Sequence, residues 1–127
     1  MNKEELKIRT KSFAVMVFNF IISLERSKAV DVISYQLLKA SSSVGANYRA
    51  ACRGKSGVDF LNKLKVVDEE ANESLFWLEF IDELEINCNK TELHSLVKEA
   101  NELVSIFSAA IRTIKSRNSN SLILNPK

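Results

Sequence analysis

SSSVGANYRAACRGKSGVDFLNKLKVVDEEANESLFWL, residues 41–78, holds two helical patterns separated by a glycine-marked turn. Before the turn, Val30, Ile33, Leu37, Ala40, Val44, Asn47 and Ala51 step by three and four, the spacing of a bundle seam. Small residues at 40–43, 45 and 46 let a neighbouring helix approach closely. Gly54 stands where a C-cap glycine belongs, and Ser56 followed by Asp59 reads as a capping pattern. After the turn, Phe60, Leu64, Val67, Ala71, Leu78 and Ile81 return to one face, with Trp77, Phe80 and Leu84 as a second apolar strip. The segment therefore predicts helices over about 28–53 and 57–86.

The same period extends outward in both directions. A first helix is predicted over about 4–26, with Phe13, Val17, Phe20 and Leu24 on one side and Val15, Phe18 and Ile22 on the other. One core needs only one apolar stripe, so the second stripe predicts a second buried surface and hence self-association. A fourth helix is predicted over about 90–116, opened by Asn89 with Glu92 and carrying Leu93, Leu96, Ala100, Leu103, Phe107, Ala110 and Ile114 in register. Residues 117–127 show no helical period and are expected to form a flexible tail, or to dock through Leu122–Leu124. Four long helices with short connections predict an all-α, antiparallel up-down-up-down bundle in a single domain, residues 1–116.

Composition agrees. The 127 residues are 46% hydrophobic with three Gly and one Pro, against any loop-rich or β-sandwich scaffold. The apolar run 13–24 contains Asn19 and Ser23 and is shorter than the ~20 residues of a membrane span, so no membrane segment is expected. The mixed-charge start lacks a signal-peptide pattern, and Cys52 and Cys88 form no CxxC pair. A cytoplasmic protein with reduced thiols is expected.

A net charge of +2 hides a polar distribution. In the up-down arrangement one end collects twelve of the 18 Lys and Arg, including Lys7, Arg9, Lys11, Arg112 and Lys115, against only Glu4, Glu5 and Asp59. Cations near helix C-termini complement the dipole at ~0.3–1 kcal/mol each, which accounts for Arg53, Lys55 and Arg112. It does not account for Lys7, Arg9, Lys63 and Lys65, which lie towards N-termini. Such an end suits phosphate backbone, and Arg49, Arg53, Lys55, Lys63 and Lys65 are the candidate nucleic-acid contacts.

Nothing suggests catalysis. Ser41–Ser43 have no base at a recognisable spacing. Glu70 and Glu73 could suggest a di-iron site, but such a site needs Glu-x-x-His on two helices and the chain has one histidine, His94. No metal, cofactor or catalytic residue is therefore expected. Asn47 is read as a register-setting seam residue, and Glu73 as the buried partner of an Arg or Lys of the second helix or of a neighbouring subunit, with Arg49 and Arg53 the candidates.

Several of these residues also carry a resemblance. Gln36-Leu37-Leu38, Ser43-Val44-Gly45-Ala46-Asn47-Tyr48-Arg49, Arg53-x-x-Ser56, Phe60, Lys63, Glu70-Ala71, Glu73 and Trp77-Leu78 resemble the bacterial family of proteins from intervening sequences of 23S rRNA genes. One departure is that Ala50 and Ala51 stand where members place a Glu, leaving Arg49 freer to face solvent or a partner. The resemblance implies four-helix bundles assembled as pentameric rings. It extends to the accessory protein of diversity-generating retroelements, which implies binding to nucleic acid and to a reverse transcriptase. The expectation is a non-enzymatic homo-oligomer that contacts RNA or DNA through a basic end. The competing expectation is a protein-interaction scaffold.

Overall fold

The computed structural model describes the backbone of residues 1–124 and the side chains of residues 1–118. Four helices account for nearly all of it: α1 (Lys3–Ile22), α2 (Lys28–Cys52), α3 (Gly57–Asp82) and α4 (Lys90–Leu124). No strand occurs among the described residues.

Each start has a local cause. Asn2, Ser27, Ser56 and Asn89 accept the backbone N–H three residues on, at 2.8, 3.1, 3.1 and 3.0 Å. These bonds satisfy donors that a first turn leaves open, each stabilising the helix by ~1 kcal/mol. The ends differ from the periodicity. α1 stops at Ile22 rather than Arg26, because Leu24 N–H bonds back to Ile21 O at 3.0 Å and the Leu24 side chain tucks into the core. α3 stops at Asp82 rather than Ile86, where Leu84 N–H closes on Ile81 O and Ile86 and Cys88 pack against the core from the connection.

Gly54 does not take the left-handed conformation expected of a C-cap glycine, for no residue described has positive φ there. Its N–H bonds Ala51 O at 3.0 Å, and an added Cβ would lie 3.1 Å from that oxygen. α4 continues to Leu124, past Ser116, so residues 117–124 of the expected tail are helical; residues 125–127 lie outside the described ones. At 35 residues against 26 for α3, α4 is longer by about 13 Å at 1.5 Å per residue.

α1 packs on α2 and α4, and α3 on α2 and α4, while the α1 and α3 backbones stay apart across the diagonal. Ser108 donates to Asp68 at 3.0 Å, and Lys90 and His94 reach Asp82 at 3.2 and 3.0 Å, so numbering rises in opposite directions along α3 and α4. Gly45 lies against the Thr10 backbone, 3.4 Å from where a Cβ would stand, which sets the close approach of α1 to α2.

The core contains Phe13, Phe20, Leu37, Leu64, Leu78 and Phe107, each essentially solvent-free. Burying such side chains stabilises the fold by ~1.5–3 kcal/mol apiece. Three polar residues share that interior: Thr10, Ser41 and Ser74. Each hydroxyl donates to a carbonyl of its own helix (Leu6, Leu38 and Glu70), so none crosses between helices. The seam of α2 runs through Tyr48 rather than Asn47. At 100° per residue Tyr48 lies about 40° from Val44 and Asn47 about 60° on its other side, away from Ser41. Tyr48 meets Phe107 with ring centroids 5.5 Å apart, and burial raises its hydroxyl pKa above the ordinary tyrosine value.

Candidate nucleic-acid interface

The basic end assembles from separate elements. Lys3 at the start of α1 holds its ammonium 4.8 Å from the ring centroid of Phe60 in the first turn of α3. That contact brings two helix starts together, with the 53–56 turn closing α2 onto α3 at the same end. Arg53 caps α2, and Lys55 follows in the turn; both are exposed.

The predicted cations sort into two groups. Arg9 is engaged: its Nε and one terminal nitrogen donate to Glu99 at 2.7 and 2.6 Å, and that nitrogen reaches Glu102 at 3.0 Å. The Glu99 bonds raise the already high Arg9 pKa, so this guanidinium stays charged and bound to its carboxylates. Lys7 pairs with Glu4 at 2.9 Å. Both are therefore weaker candidates than the sequence implies. By contrast, Arg49, Arg53, Lys55, Lys63 and Lys65 form no ion pair within 4.0 Å among the described residues. All are exposed except Lys65, which is half-buried.

These five do not share one face. Lys63 and Lys65 project about 200° apart around α3. Asp68, which accepts from Ser108, lies on the Lys65 side and so places that side towards α4. Arg49 lines a groove of about 630 Å³ between α1 and α2, together with Lys7, Lys11, Ile8, Val15 and Phe18. Arg53 and Lys55 occupy the turn. The charges therefore circle the end of the bundle rather than pave a flat patch. An arrangement of this kind attracts anions over a wide approach angle, with no fixed pocket for a single phosphate.

Two expected interior polar residues fall elsewhere. Asn47 is half-buried and donates to Ser43 O of its own helix at 2.8 Å, so it fixes no register between helices. Glu73 is exposed and pairs with neither Arg49 nor Arg53. The reason is axial: Glu73 stands sixteen residues into α3, roughly 24 Å from the turn that carries Arg53. The charge felt at that level from α2 is Lys39, which acts on Glu70; burial and Glu73 together outweigh it and raise the Glu70 pKa.

The other half of α3 carries the opposite charge. From Val66 to Asn89 there is no Lys or Arg, but eight Asp or Glu. An aromatic group lies within this stretch, with Phe76 5.0 Å and Phe80 5.5 Å from Trp77 between ring centroids. Phe76 is exposed, and periodicity did not mark it because it falls outside the core stripe. Among the described residues no group of three or more His, Cys, Asp or Glu converges as metal ligands would. No helix among them is long and apolar enough to cross a membrane.

Comparison with known proteins adds three findings. The family model of the 23S rRNA-intervening sequence protein matches residues 4–109. A solved structure from Bacteroides thetaiotaomicron VPI-5482, a protein with unknown function from the S23 ribosomal protein family, is 30% identical with a TM-score of 0.78. The match covers 88% of this chain and 99% of that one. No curated protein matches the chain.

Proposed function

The chain belongs to the 23S rRNA-intervening sequence protein family, and on that footing we propose that it binds structured RNA, or an RNA–protein complex, without catalysis. In this reading the four helices form an antiparallel up-down-up-down bundle that assembles as a ring-shaped homo-oligomer in the cytoplasm. The basic end of each copy then contributes to one shared electropositive surface. The observation that carries the reading is the set of five cations around that end with no acidic partner among the described residues. Arg9, by contrast, is held by Glu99. The start of α3, whose open N–H groups lie beside Arg53 and Lys55, adds to the positive potential.

Phosphate contacts of this type release counterions, so affinity falls steeply with salt. Fluorescence polarisation of a labelled structured RNA tests the reading. Binding at low salt that is lost at high salt, and weakened by Arg53→Ala and Lys63→Ala, is the expected result. No measurable binding at low salt would overturn it.

A further inference from the structure

We propose that the outward face of α1 of one copy docks on the outward face of α3 of a second copy, in parallel and in a single register. The proposal rests on the oligomeric part of the reading above and adds to it which surfaces meet. On α1, Glu4, Ile8, Lys11, Val15, Phe18 and Ile22 alternate by four and three, opposite the buried stripe of Phe13, Val17 and Phe20. This is a heptad seam facing solvent. Its apolar members are far from covered: Ile8 is 67% exposed and Ile22 65%. On α3, Asn62, Val66, Glu69, Glu73, Phe76 and Phe80 follow the same alternation, opposite the core stripe of Leu64, Ala71 and Leu78. Phe76 is 54% exposed.

The two seams complement each other in order. When each α1 residue faces the α3 residue 58 positions later, Ile8 meets Val66, Lys11 meets Glu69, Phe18 meets Phe76 and Ile22 meets Phe80, with Val15 against Glu73 the single apolar–acid mismatch. Sliding by one heptad breaks the match. In one direction Ile8 and Phe18 face Glu73 and Glu83; in the other Phe18 and Ile22 face Glu69 and Glu73. Pairing α1 with another α1 offers no carboxylate for Lys11 within the apolar stretch and leaves Phe76 and Phe80 uncovered.

The fold converts this register into a closed assembly. α1 and α3 sit on opposite sides of the bundle, so each copy offers one face to each neighbour, a head-to-tail contact. Inside one copy Lys3 lies over Phe60, an offset of 57 between the two helices at the same height. The intermolecular register of 58 therefore joins neighbours at equal height to within a helical turn. A contact without axial rise favours a ring over a helical filament.

Cysteine linkage reads this directly. In a Cys52→Ser, Cys88→Ser background, an oxidised mixture of Phe18→Cys and Phe76→Cys should give a covalent dimer, while neither variant alone does. Mixing Phe18→Cys with Glu69→Cys or Glu83→Cys, one heptad away, should give at least tenfold less. Equal linkage in those mixtures, or linkage of Phe18→Cys to itself, would overturn the pairing. A second test leaves the cysteines in place: Lys11→Glu or Glu69→Lys should lower the mass seen by light scattering, and the double variant should restore it. A multimeric wild type whose mass ignores these changes refutes the pairing and leaves the oligomer standing. A monomeric wild type removes both.

Discussion

At the residue scale, the most demanding contact is the Arg9 fork on Glu99. Both side chains are about one-fifth exposed and the pair is bidentate, so solvent screens it less than a surface ion pair. Arg9→Ala should lower unfolding free energy by ~1–3 kcal/mol, and Arg9→Lys should recover only part because it loses the fork. Urea unfolding would check both. Gly45 makes a second claim. Gly45→Ala should stay within ~1 kcal/mol of wild type, as the gain in helix propensity offsets a snug contact. Gly45→Leu should lose ~1–3 kcal/mol by forcing α1 from α2. Sequence alone placed Asn47 in the seam because its series of threes and fours ignored the 20° gained per heptad on a straight helix, which favours Tyr48. It paired Glu73 with Arg49 or Arg53 because spacing along a chain does not convey height within a hairpin.

At the element scale, the stripes were legible and the ends were not. Both apolar faces predicted for α1 are present, and within the single chain one is buried and the other exposed. Phe13→Ala, on the buried side, should destabilise by ~3–5 kcal/mol in the same urea assay. Helix ends escaped the sequence where backbone geometry decided them. Leu24 and Leu84 continue an apolar period yet close their helices through bonds three residues back. Residues 117–124 lack that period and are helical all the same. The α3–α4 joint gives a pH prediction. Bonds from Lys90 and His94 lower the Asp82 pKa, so Asp82 stabilises the fold above the unfolded-state value of about 3.9. That contribution is lost as pH falls through the lower folded value. Thermal melts in acid should show a shallower decline for Asp82→Asn than for wild type.

At the scale of the whole molecule, a small net charge conceals two opposed regions. Cations without partners surround one end, and an acidic half-helix studded with aromatic rings runs towards the other. The concentration of cations at one end followed from the chain and the order of its helices. Which cations stay unpaired did not, because Glu99 and Glu102 lie ninety residues from Arg9 and meet it only in the fold. Assembly through α1 and α3 would bring the basic ends into a common plane and turn scattered charges into a surface as wide as the ring. RNA binding and assembly should then weaken together in Lys11→Glu and recover together in the double variant with Glu69→Lys.

The salt dependence of RNA affinity tests the central claim most directly, through the slope of log K against log salt for wild type and for Arg49→Ala/Arg53→Ala/Lys55→Ala. Each phosphate contact contributes roughly −0.7 to −0.9 to that slope. The account predicts that the triple variant loses about two to three units of slope per copy engaged while its helix content stays that of the wild type. An unchanged slope, with RNA still bound, would contradict it.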